Sequence, residues 1–590
     1  MERIDIREIL KDKLPGLFHK YPDFAVNMLI KFLNSFLKIE DINNFLSKSS
    51  HTHGFEFIGQ LFEELNFAYK LSSLDKYKIP SEGRLIIVSN HPLGGLDGLA
   101  LLKAIGEVRQ DVKIIANDVL QNIENLSELF LPLDVYSKSK QKQQIQNIEN
   151  ALNEDQAIII FPAGKVSRLQ ASGVKDLKWA NGALRFSAKF QAPILPVFIE
   201  ARNSAAFYLL SLLHQRIGMF MLPQELFRQR NSSIDIKIGD LIPGTTFKNS
   251  SLKIKFQTKL LYQHTYKIGS GKKGIFNTEK TIIHPIDKHE LLREFKLSTL
   301  LGNTSDGMKI YLVEYENSPS IIKEIARLRE LTFRKVGEGT GKIYDMDIYD
   351  LYYKHIVLWD DDEFEIVGSY RLGLTEDILK IYGPKGLYNS SQFELKPEFL
   401  DLVQNSLEVG RSFIQQKYWR SSALDYIWQG IGAYLSVNQK IKYLWGAVSI
   451  SDNYSKLAKA LIISYYDKWY QGDKSLAVPG TELKFTKKDI EEAEAILNAD
   501  SHVQDFRNLK TALKNMGYSV PVLFRRYTDI TEYGGSKFIS WCIDVNFNNA
   551  IDGLIVVDLS KLKDEVKKRY YNQKSFVDSD KEQKDNYVLA

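Results

Sequence analysis

A histidine and an aspartate stand close together in a glycine-rich stretch that follows a short β-branched run. The run is residues 84–89, and the stretch Asn90–Gly98 contains His91 and Asp97. A carboxylate can hold an imidazole in one tautomer while the other ring nitrogen accepts a proton from a hydroxyl group. Glycines between the two residues permit a sharp turn and the close approach of a substrate. The pattern indicates a general base for a hydroxyl, and a purely structural histidine is the alternative.

A second polar turn, at residues 161–168, follows a later apolar run. Gly164 can expose backbone amides, Ser167 can hydrogen-bond, and Lys165 and Arg168 bring positive charge. Such a turn suits an anionic or polar headgroup, or an oxyanion that develops during a reaction. The alternative is an ordinary strand-to-helix turn with solvated cations.

The second half of the chain carries a separate set of charged residues that could bind an amino acid: Arg334, Asp347, Asp350, Arg371, Glu408 and Arg411. Carboxylates at positions 347 and 350 could pair with the amine of such a substrate. Guanidinium groups at positions 371 and 411 could pair with its carboxylate. Glu408 could remove the proton of the amine. Ordinary ion pairs are the alternative for each of these residues taken singly.

Two α/β regions must position these residues. Residues 76–245 alternate β-branched runs with helical patterns. We predict strands at 84–89, 112–116, 157–161 and 194–199, with helices at 96–105, 138–153 and 179–189. In the second region we predict strands at 310–315, 356–359, 365–371 and 414–418, helices at 318–333, 423–438 and 489–515, and further strands within 520–559. Active residues of parallel α/β sheets lie at the carboxyl ends of strands, which is where His91 falls.

The chain is too long for one core and is therefore expected to form an α/β protein of two domains. We predict a helical cap at 1–75, an α/β domain at 76–245, a linker at 246–305, a second α/β domain at 306–560 and a charged tail at 561–590. The apolar positions of the cap recur at helical spacing, and either core packing or lipid contact would explain them. The apolar segments within 205–222, flanked by arginines, could be interfacial helices or a buried helix pair.

Composition narrows the class of protein. The chain has 590 residues, 44% hydrophobic and 26% charged, with a formal net charge of +5. This mild basicity suits an anionic membrane surface or an acidic carrier protein and does not require nucleic acid. The single Cys542 excludes an intramolecular disulfide and a thiolate metal cluster. The sequence shows no signal peptide and no apolar run that would span a bilayer, so we expect a cytoplasmic protein without a bound metal or cofactor.

Residues 80–215 resemble the 1-acylglycerol-3-phosphate acyltransferases, also called PlsC-type acyltransferases. The resemblance rests on four blocks in the order of that family: Asn90-His91 with Asp97, Ile115–Val119, Phe161–Gly164 with Ser167 and Arg168, and Ile194–Val197. It implies that His91 deprotonates the acceptor hydroxyl, that Asp97 orients His91, and that the hydroxyl attacks an acyl thioester directly. It also implies that Asn90 and the third block contact the substrate.

Two departures from that family stand out. The stretch between His91 and Asp97 has five residues where the family has four, so the contact between the two side chains needs the Gly94-Gly95 turn. Ala163 stands where the family has the glutamate of a block associated with glycerol phosphate. The second change implies another kind of acceptor.

Residues 310–560 resemble the ornithine N-acyltransferases, which have a GNAT-like fold and take acyl groups from acyl carrier protein. The most specific part is Glu408–Ser412, Tyr418–Arg420 and Trp428–Gly430. The layout of arginines and acidic residues is also similar to that of acyl-homoserine-lactone synthases. The two halves together resemble the bifunctional ornithine lipid synthases.

The resemblance of the two halves together to bifunctional ornithine lipid synthases implies a peripheral enzyme at the inner face of the cytoplasmic membrane. The C-terminal domain would N-acylate an amino acid with a 3-hydroxyacyl group, and the N-terminal domain would O-acylate the resulting hydroxyl. Acyl carrier protein or CoA would carry the acyl donor, and ornithine, glycine, serine and lysine remain open as acceptors. The alternatives are a lysophospholipid acyltransferase with a regulatory GNAT-like domain and a non-catalytic lipid-binding protein.

Overall fold

The computed structural model describes residues 5–13, 15–116, 123–132, 138–171, 173–213, 215–248 and 250–570. The chain divides into two compact units, Met1–His284 and Pro285–Ala590. Each unit contains a mixed β-sheet with helices packed on it, which confirms the predicted α/β class with two domains.

The first unit is built on a seven-stranded sheet. Its strands, in spatial order, are Ala68–Lys70, Ser233–Ile238, Ile194–Glu200, Leu85–Ser89, Ala157–Ile160, Val112–Ala116 and Phe130–Pro132. Neighbouring strands are parallel except for one antiparallel pair, Ile194–Glu200 with Ser233–Ile238. The central strand, Leu85–Ser89, is buried at every residue, as expected for a strand covered on both faces. Its carboxyl end leads directly into Asn90 and His91.

Helices pack on both faces of this sheet and on one another. They are Ile6–Lys13, Pro15–Lys20, Asp23–Phe36, Ile39–Lys48, Gly54–Leu65, Ser73–Lys76, Gly95–Gly106, Lys138–Asn153, Gly182–Phe190, Ala205–Leu213, Gln215–Arg228, Thr245–Lys248 and Ile254–Gly269, with a 3₁₀ helix at Glu124–Leu129. A hairpin of Arg168–Gln170 and Gly173–Lys175 completes the unit. The predicted cap is helical, and helix Gly54–Leu65 buries Phe57 and Ile58 in the core.

The predicted domain bounds stay a prediction, and the structure adds detail to the stretch 246–305. Helix Ile254–Gly269 of this stretch packs in the first unit, where Leu261 joins a buried cluster with Trp179. The division between the two compact units falls at His284 and Pro285. The polar, turn-rich composition of this stretch predicted a linker. A few buried apolar side chains, such as Leu261, are nevertheless enough to pack the helix against the first unit.

The second unit contains an eight-stranded sheet. Its spatial order is Thr299–Asn303, Lys309–Glu314, Lys354–Asp360, Glu365–Leu374, Ser406–Ile414, Tyr443–Ile450, Ala550–Asp558 and Ser536–Asp544. Within it, Ser406–Ile414 runs parallel to Tyr443–Ile450, and the register between these two strands spans Ser406 to Glu408. The pairing of these two strands ends after Glu408, and Arg411 takes a positive φ of 50°. Such an irregularity bends a strand and re-aims its side chains.

Helices pack on both faces of the second sheet and on one another. They are Lys288–Phe295, Pro319–Val336, Thr375–Tyr382, Pro397–Leu402, Ala423–Val437, Lys456–Tyr470, Lys487–Ile496, His502–Asn515, Val522–Asp529 and Asp564–Tyr570. Short 3₁₀ helices lie at Ile348–Leu351, Pro384–Gly386, Tyr388–Ser391, Gln416–Tyr418, Lys474–Leu476 and Leu559–Lys561, and Phe393–Leu395 pairs with Ala477–Pro479. Ala423–Val437 and Lys456–Tyr470 cover one apolar face. Pro319–Val336 covers part of the other.

Several predicted elements of the second half were wrong in detail. The predicted strand 414–418 is the end of strand Ser406–Ile414 followed by a 3₁₀ helix. The strand begins earlier than predicted, at Ser406, because Glu408 and Arg411 interrupt its apolar pattern but have partners within the fold. The predicted helix 489–515 is two helices, because Ser501 caps a new helix start. The region 520–559 begins with a helix, Val522–Asp529, before its two strands.

Two predictions fall partly outside the described residues. The second block, Ile115–Val119, is described as far as Ala116, where its strand ends. The charged tail is described as far as residue 570, within helix Asp564–Tyr570. Among the described residues, no helix has the length and apolar character needed to cross a bilayer.

Candidate active sites

His91 and Asp97 are in contact at the carboxyl end of the central strand of the first unit. The distance from His91 Nδ1 to Asp97 Oδ2 is 3.1 Å. The His91 side chain is 18% exposed, whereas that of Asp97 is fully buried in the first turn of helix Gly95–Gly106. Gly94 has a φ of 104°, which the turn requires and which a side chain would strain. The turn therefore accommodates the extra residue between the pair.

Backbone amides hold the Asp97 carboxylate in place. Leu93 N donates to Oδ2 and Gly98 N donates to Oδ1, both at 2.8 Å. Burial opposes protonation of His91, but the charge and hydrogen bond of Asp97, with a smaller effect of Asp176, raise its pKa. With Nδ1–H donated to Asp97, Nε2 is left to accept a proton. The arrangement is that of a general base.

Asp176 is a residue of this site that the sequence did not reveal. Its Oδ1 accepts hydrogen bonds from the backbone N of His91, at 3.1 Å, and from Ser167 Oγ, at 2.5 Å. Trp179 Nε1 donates to its other oxygen at 2.9 Å. Ser167 N also donates to the carbonyl of His91 at 2.7 Å. Asp176 thus joins the His91 segment to the third block.

The remaining predicted residues of this site have different surroundings. Asn90 exchanges two hydrogen bonds with the backbone of Ile199 and is 3% exposed, so it ties two strand ends together. Gly164 has a φ of 60° and open space at its Cβ position. The Arg168 guanidinium lies 4.9 Å from the Phe207 ring centroid, with Nη1 buried and unpartnered. An anion beside Arg168 would supply the missing acceptor.

The second unit brings together four of its predicted residues. Arg371 Nη1 donates to Asp347 Oδ1 at 2.7 Å and to Asp350 Oδ1 at 3.1 Å. Arg411 Nη2 is 3.8 Å from Asp347 Oδ2, and its Nη1 donates to Asp345 at 3.2 Å. Arg371, Asp350 and Asp345 are buried, whereas the side chains of Arg411 and Asp347 are 12% and 23% exposed. Burial of so many charges is tolerated because they are paired.

Asp350 is fully engaged with the protein. Arg329, which the sequence analysis missed, donates to both Asp350 oxygens at 2.8 and 2.7 Å. Burial favours the neutral acid, but Arg329 and Arg371 hold the pKa of Asp350 well below its usual range. Arg334 lies apart from this group and pairs with Glu330 at 2.7 Å. Asp350 is therefore not free to receive an amine.

Glu408 is also surrounded by protein donors. Its Oε1 accepts from the backbone N of Asn389 at 2.8 Å and from the Asn389 amide at 2.6 Å. Its Oε2 accepts from Tyr388 N at 3.2 Å and from the Tyr353 hydroxyl. Glu408 is 2% exposed, and burial raises its pKa although these hydrogen bonds oppose the rise. Its role as a base stays a prediction.

Three polar atoms of this group are buried without a hydrogen-bond partner. They are Asp347 Oδ2, Arg371 Nη2 and Arg411 Nε. The Arg411 guanidinium is held by the Tyr388 and Phe547 rings, each 4.9 Å from its carbon. Buried polar atoms without hydrogen-bond partners are rare in native proteins, and each calls for an explanation such as a catalytic role or a bound ion. The two guanidinium nitrogens are suitable donors to a carboxylate.

Comparison with known proteins places an acyltransferase domain in each half of the chain. The profile of the acyltransferase family matches residues 8–272, and that of the acetyltransferase (GNAT) domain matches residues 328–429. A lyso-glycine lipid O-acyltransferase of Bacteroides thetaiotaomicron is 32% identical over 254 residues, covering 42% of this chain and 91% of that protein.

Two N-acyltransferases are also similar to this chain. A glycine N(alpha)-acyltransferase of Phocaeicola vulgatus is 29% identical over 309 residues, covering 50% of this chain and 93% of that protein. An L-ornithine N(alpha)-acyltransferase of Agrobacterium fabrum is 26% identical over 247 residues, covering 40% of this chain and 74% of that protein. The chain belongs to the acyltransferase family, and it is a two-domain acyltransferase that joins this family's domain to a GNAT domain.

Proposed function

We propose that the chain makes an N-acyl, O-acyl glycine lipid by two successive acyl transfers. The GNAT domain transfers a 3-hydroxyacyl group from a thioester to the amine of glycine. The N-terminal domain then acylates the 3-hydroxyl group of that product. The observation that carries the proposal is that one chain is similar to both a glycine N-acyltransferase and a lyso-glycine lipid O-acyltransferase over nearly their full lengths.

The O-acyl transfer would be performed at His91. Nε2 takes the proton of the acceptor hydroxyl while its oxygen attacks the thioester carbonyl, so that a C–O bond forms and the C–S bond breaks. The imidazolium, stabilised by Asp97, returns the proton to the departing thiolate. Arg168 Nη1 is a donor for the carboxylate of the acyl-glycine acceptor, which carries no phosphate. This acceptor agrees with Ala163 in place of the family's glutamate.

The N-acyl transfer would be performed beside Arg371 and Arg411. The unpartnered nitrogens of these two residues are donors for the carboxylate of the amino acid. Because the pairing of Ser406–Ile414 with Tyr443–Ile450 ends after Glu408, backbone groups beyond this point can hydrogen-bond an extended acyl-thioester arm. Acyl carrier protein and CoA carry the same kind of arm, and either would serve as the donor.

A peripheral membrane position is part of the proposal. Helix Asp23–Phe36 exposes Phe24, Met28 and Phe32 by 76%, 60% and 61%, at the spacing of one helical face. Phe36, at the end of this helix, packs in a cluster with Val166 of the third block. Exposed apolar side chains in one row suit the headgroup boundary of the inner face of the cytoplasmic membrane. An acyl chain that enters from the membrane would thus lie close to the His91 site.

The test uses the purified full-length protein with 3-hydroxyacyl–acyl carrier protein, acyl–acyl carrier protein and glycine. Mass spectrometry is expected to detect the singly and then the doubly acylated glycine. The His91→Ala variant is expected to accumulate the singly acylated product. Acylation of lysophosphatidic acid with no N-acyl product from glycine, ornithine, serine or lysine would refute the proposal in favour of a lysophospholipid acyltransferase.

A further inference from the structure

A second group of buried carboxylates lies in the second sheet, beyond the point where the pairing of strands Ser406–Ile414 and Tyr443–Ile450 ends. Asp552 is directly opposite Ser449 in the register between Ala550–Asp558 and Tyr443–Ile450. Glu338 reaches the same place from another element, because its Oε2 accepts a hydrogen bond from Ser449 Oγ at 3.1 Å. Asp552 is 5% exposed and Glu338 is 9% exposed. Two acids from distant parts of the chain therefore meet on one face of the sheet.

This group is continuous with Arg411. Gln392 Nε2 donates to Asp544 Oδ2 and, at 3.3 Å, to the Tyr388 hydroxyl. Arg411 Nη2 donates to the same hydroxyl at 3.0 Å. Asp544 is 6% exposed and lies two residues beyond the position that pairs with Asp552. The carboxylates thus adjoin the guanidinium that we propose as a contact of the acceptor's carboxylate.

The group has few hydrogen-bond donors: Ser449 Oγ donates to Glu338, and Gln392 Nε2 and the backbone N of Asn546 donate to Asp544. Gln392 Oε1 is buried and unpartnered, on a side chain that is 9% exposed. Arg411 is the cation whose charge acts on both Asp552 and Glu338, and it already contacts Asp345. Buried acids without enough cations require a proton or a cationic ligand. A ligand with several N–H donors and a positive charge would satisfy the acids and the amide oxygen together.

We propose that Asp552, Glu338 and Gln392 form the subsite for the α-ammonium group of the amino-acid acceptor, and that Asp552 takes the proton this group loses before the reaction. This assignment rests on the proposed N-acyl transfer. The ammonium transfers one proton to the Asp552 carboxylate. The free amine attacks the thioester, so that the C–N bond forms and the C–S bond breaks. The second amine proton leaves with the thiolate, and Asp552 releases its proton to solvent.

The electrostatics agree with a group that exchanges protons near neutral pH. Burial, with the charges of Asp544 and Glu338, raises the pKa of Asp552 to about 8. Burial raises the pKa of Glu338 to about 7, although Ser449 and Arg411 oppose the rise. The titratable and charged groups facing Asp552 are Asp544, Glu338, Cys542, Tyr388 and Arg411. A base with a pKa near the working pH is the most effective kind.

The Asp552→Asn variant tests the assignment. Asparagine resembles the protonated acid, so the variant is expected to fold, and its O-acylation of a supplied acyl-glycine serves as the check. The kcat/KM for N-acylation of glycine is measured from about pH 6 to about pH 9. We expect the parent's kcat/KM to rise with pH, and the variant's to fall by about 100-fold and lose that rise. Asp401→Asn, at an exposed position of the same unit, should match the parent.

Binding separates this assignment from the proposed function. Calorimetry is done with glycine and with glycolate, which has a hydroxyl in place of the ammonium. We expect the parent to prefer glycine and Asp552→Asn to lose the preference. Equal binding of the two ligands by the parent, or an unchanged pH profile in Asp552→Asn, would overturn the subsite. A pH rise that disappears in Glu408→Gln but persists in Asp552→Asn would overturn Asp552 as the base. A parent that prefers glycine but forms no acyl-glycine would refute the proposed function alone.

Discussion

Replacement of Asp97 by asparagine would test the proposed O-acyl transfer at almost constant volume. Both oxygens of the Asp97 carboxylate make polar contacts. Oδ2 accepts a hydrogen bond from Leu93 N and faces His91 Nδ1, and Oδ1 accepts one from Gly98 N. Asparagine offers one oxygen and one NH₂ group. In either orientation of the amide, an NH₂ group must face a backbone N–H. The site therefore cannot accept the substitution without losing a hydrogen bond.

The two orientations have different effects on His91. With the NH₂ group near Leu93, it donates to Nδ1, the ring proton moves to Nε2, and the base is lost. With the NH₂ group near Gly98, His91 keeps its tautomer but loses the negative charge that stabilises the imidazolium, and its pKa falls. A buried unsatisfied N–H costs about 1–3 kcal/mol of stability. Loss of a positioned general base lowers the rate by about 10²–10⁴-fold.

The assay supplies the full-length variant with a 3-hydroxyacyl glycine and an acyl thioester and measures the doubly acylated product. N-acylation of glycine by the same preparation is the internal control, since Asp97 lies in the other unit. Asp235→Asn, at an exposed position of the N-terminal unit, is the matched control. We expect O-acylation to fall by about 10²–10⁴-fold with N-acylation unchanged.

An O-acylation rate within about threefold of the parent would refute the reasoning, because a general base needs the tautomer that Asp97 imposes. A rate that falls equally in both reactions would point instead to unfolding. Thermal unfolding of the variant distinguishes this case, since the expected loss of about 1–3 kcal/mol leaves the domain folded at assay temperature.

Three further predictions follow from buried carboxylates. Asp176→Asn should lower O-acylation by about 10–100-fold with N-acylation unchanged, because an NH₂ group would replace either the oxygen that accepts from His91 N and Ser167 Oγ or the one that accepts from Trp179 Nε1. Product formation measures both reactions. Glu408→Gln should destabilise the GNAT domain by about 1–3 kcal/mol in urea unfolding, since its carboxylate accepts four hydrogen bonds. The pKa of Asp552 is about 8 in the folded state and about 3.9 in the unfolded state, so stability should fall as pH rises between these values, by about 5 kcal/mol for this group. Asp552→Asn should remove this contribution and leave the smaller one of Glu338, which urea unfolding at both pH limits measures.

The sequence by itself determined the class of fold and the position of one candidate site. Short β-branched runs that alternate with amphipathic segments predict buried parallel strands, because side-chain periodicity is a local property. His91 was identifiable since the carboxyl end of such a strand is where α/β proteins hold reactive residues. The order of the blocks indicated an acyltransferase, and the family matches confirm this. The structure adds that Asp97 reaches His91 despite the extra residue.

Tertiary structure decided which charged residues act together. Asp176 contacts His91 across 85 positions of the chain. Asp552 meets Glu338 because strand pairing places Asp552 opposite Ser449, to which Glu338 is hydrogen-bonded. Such partners carry no local periodicity, because their meeting depends on sheet register and on burial. The same burial turned Asp350 into a residue whose oxygens the protein itself satisfies. A carboxylate's chemistry depends on its desolvation and its neighbours, and both are properties of the folded chain.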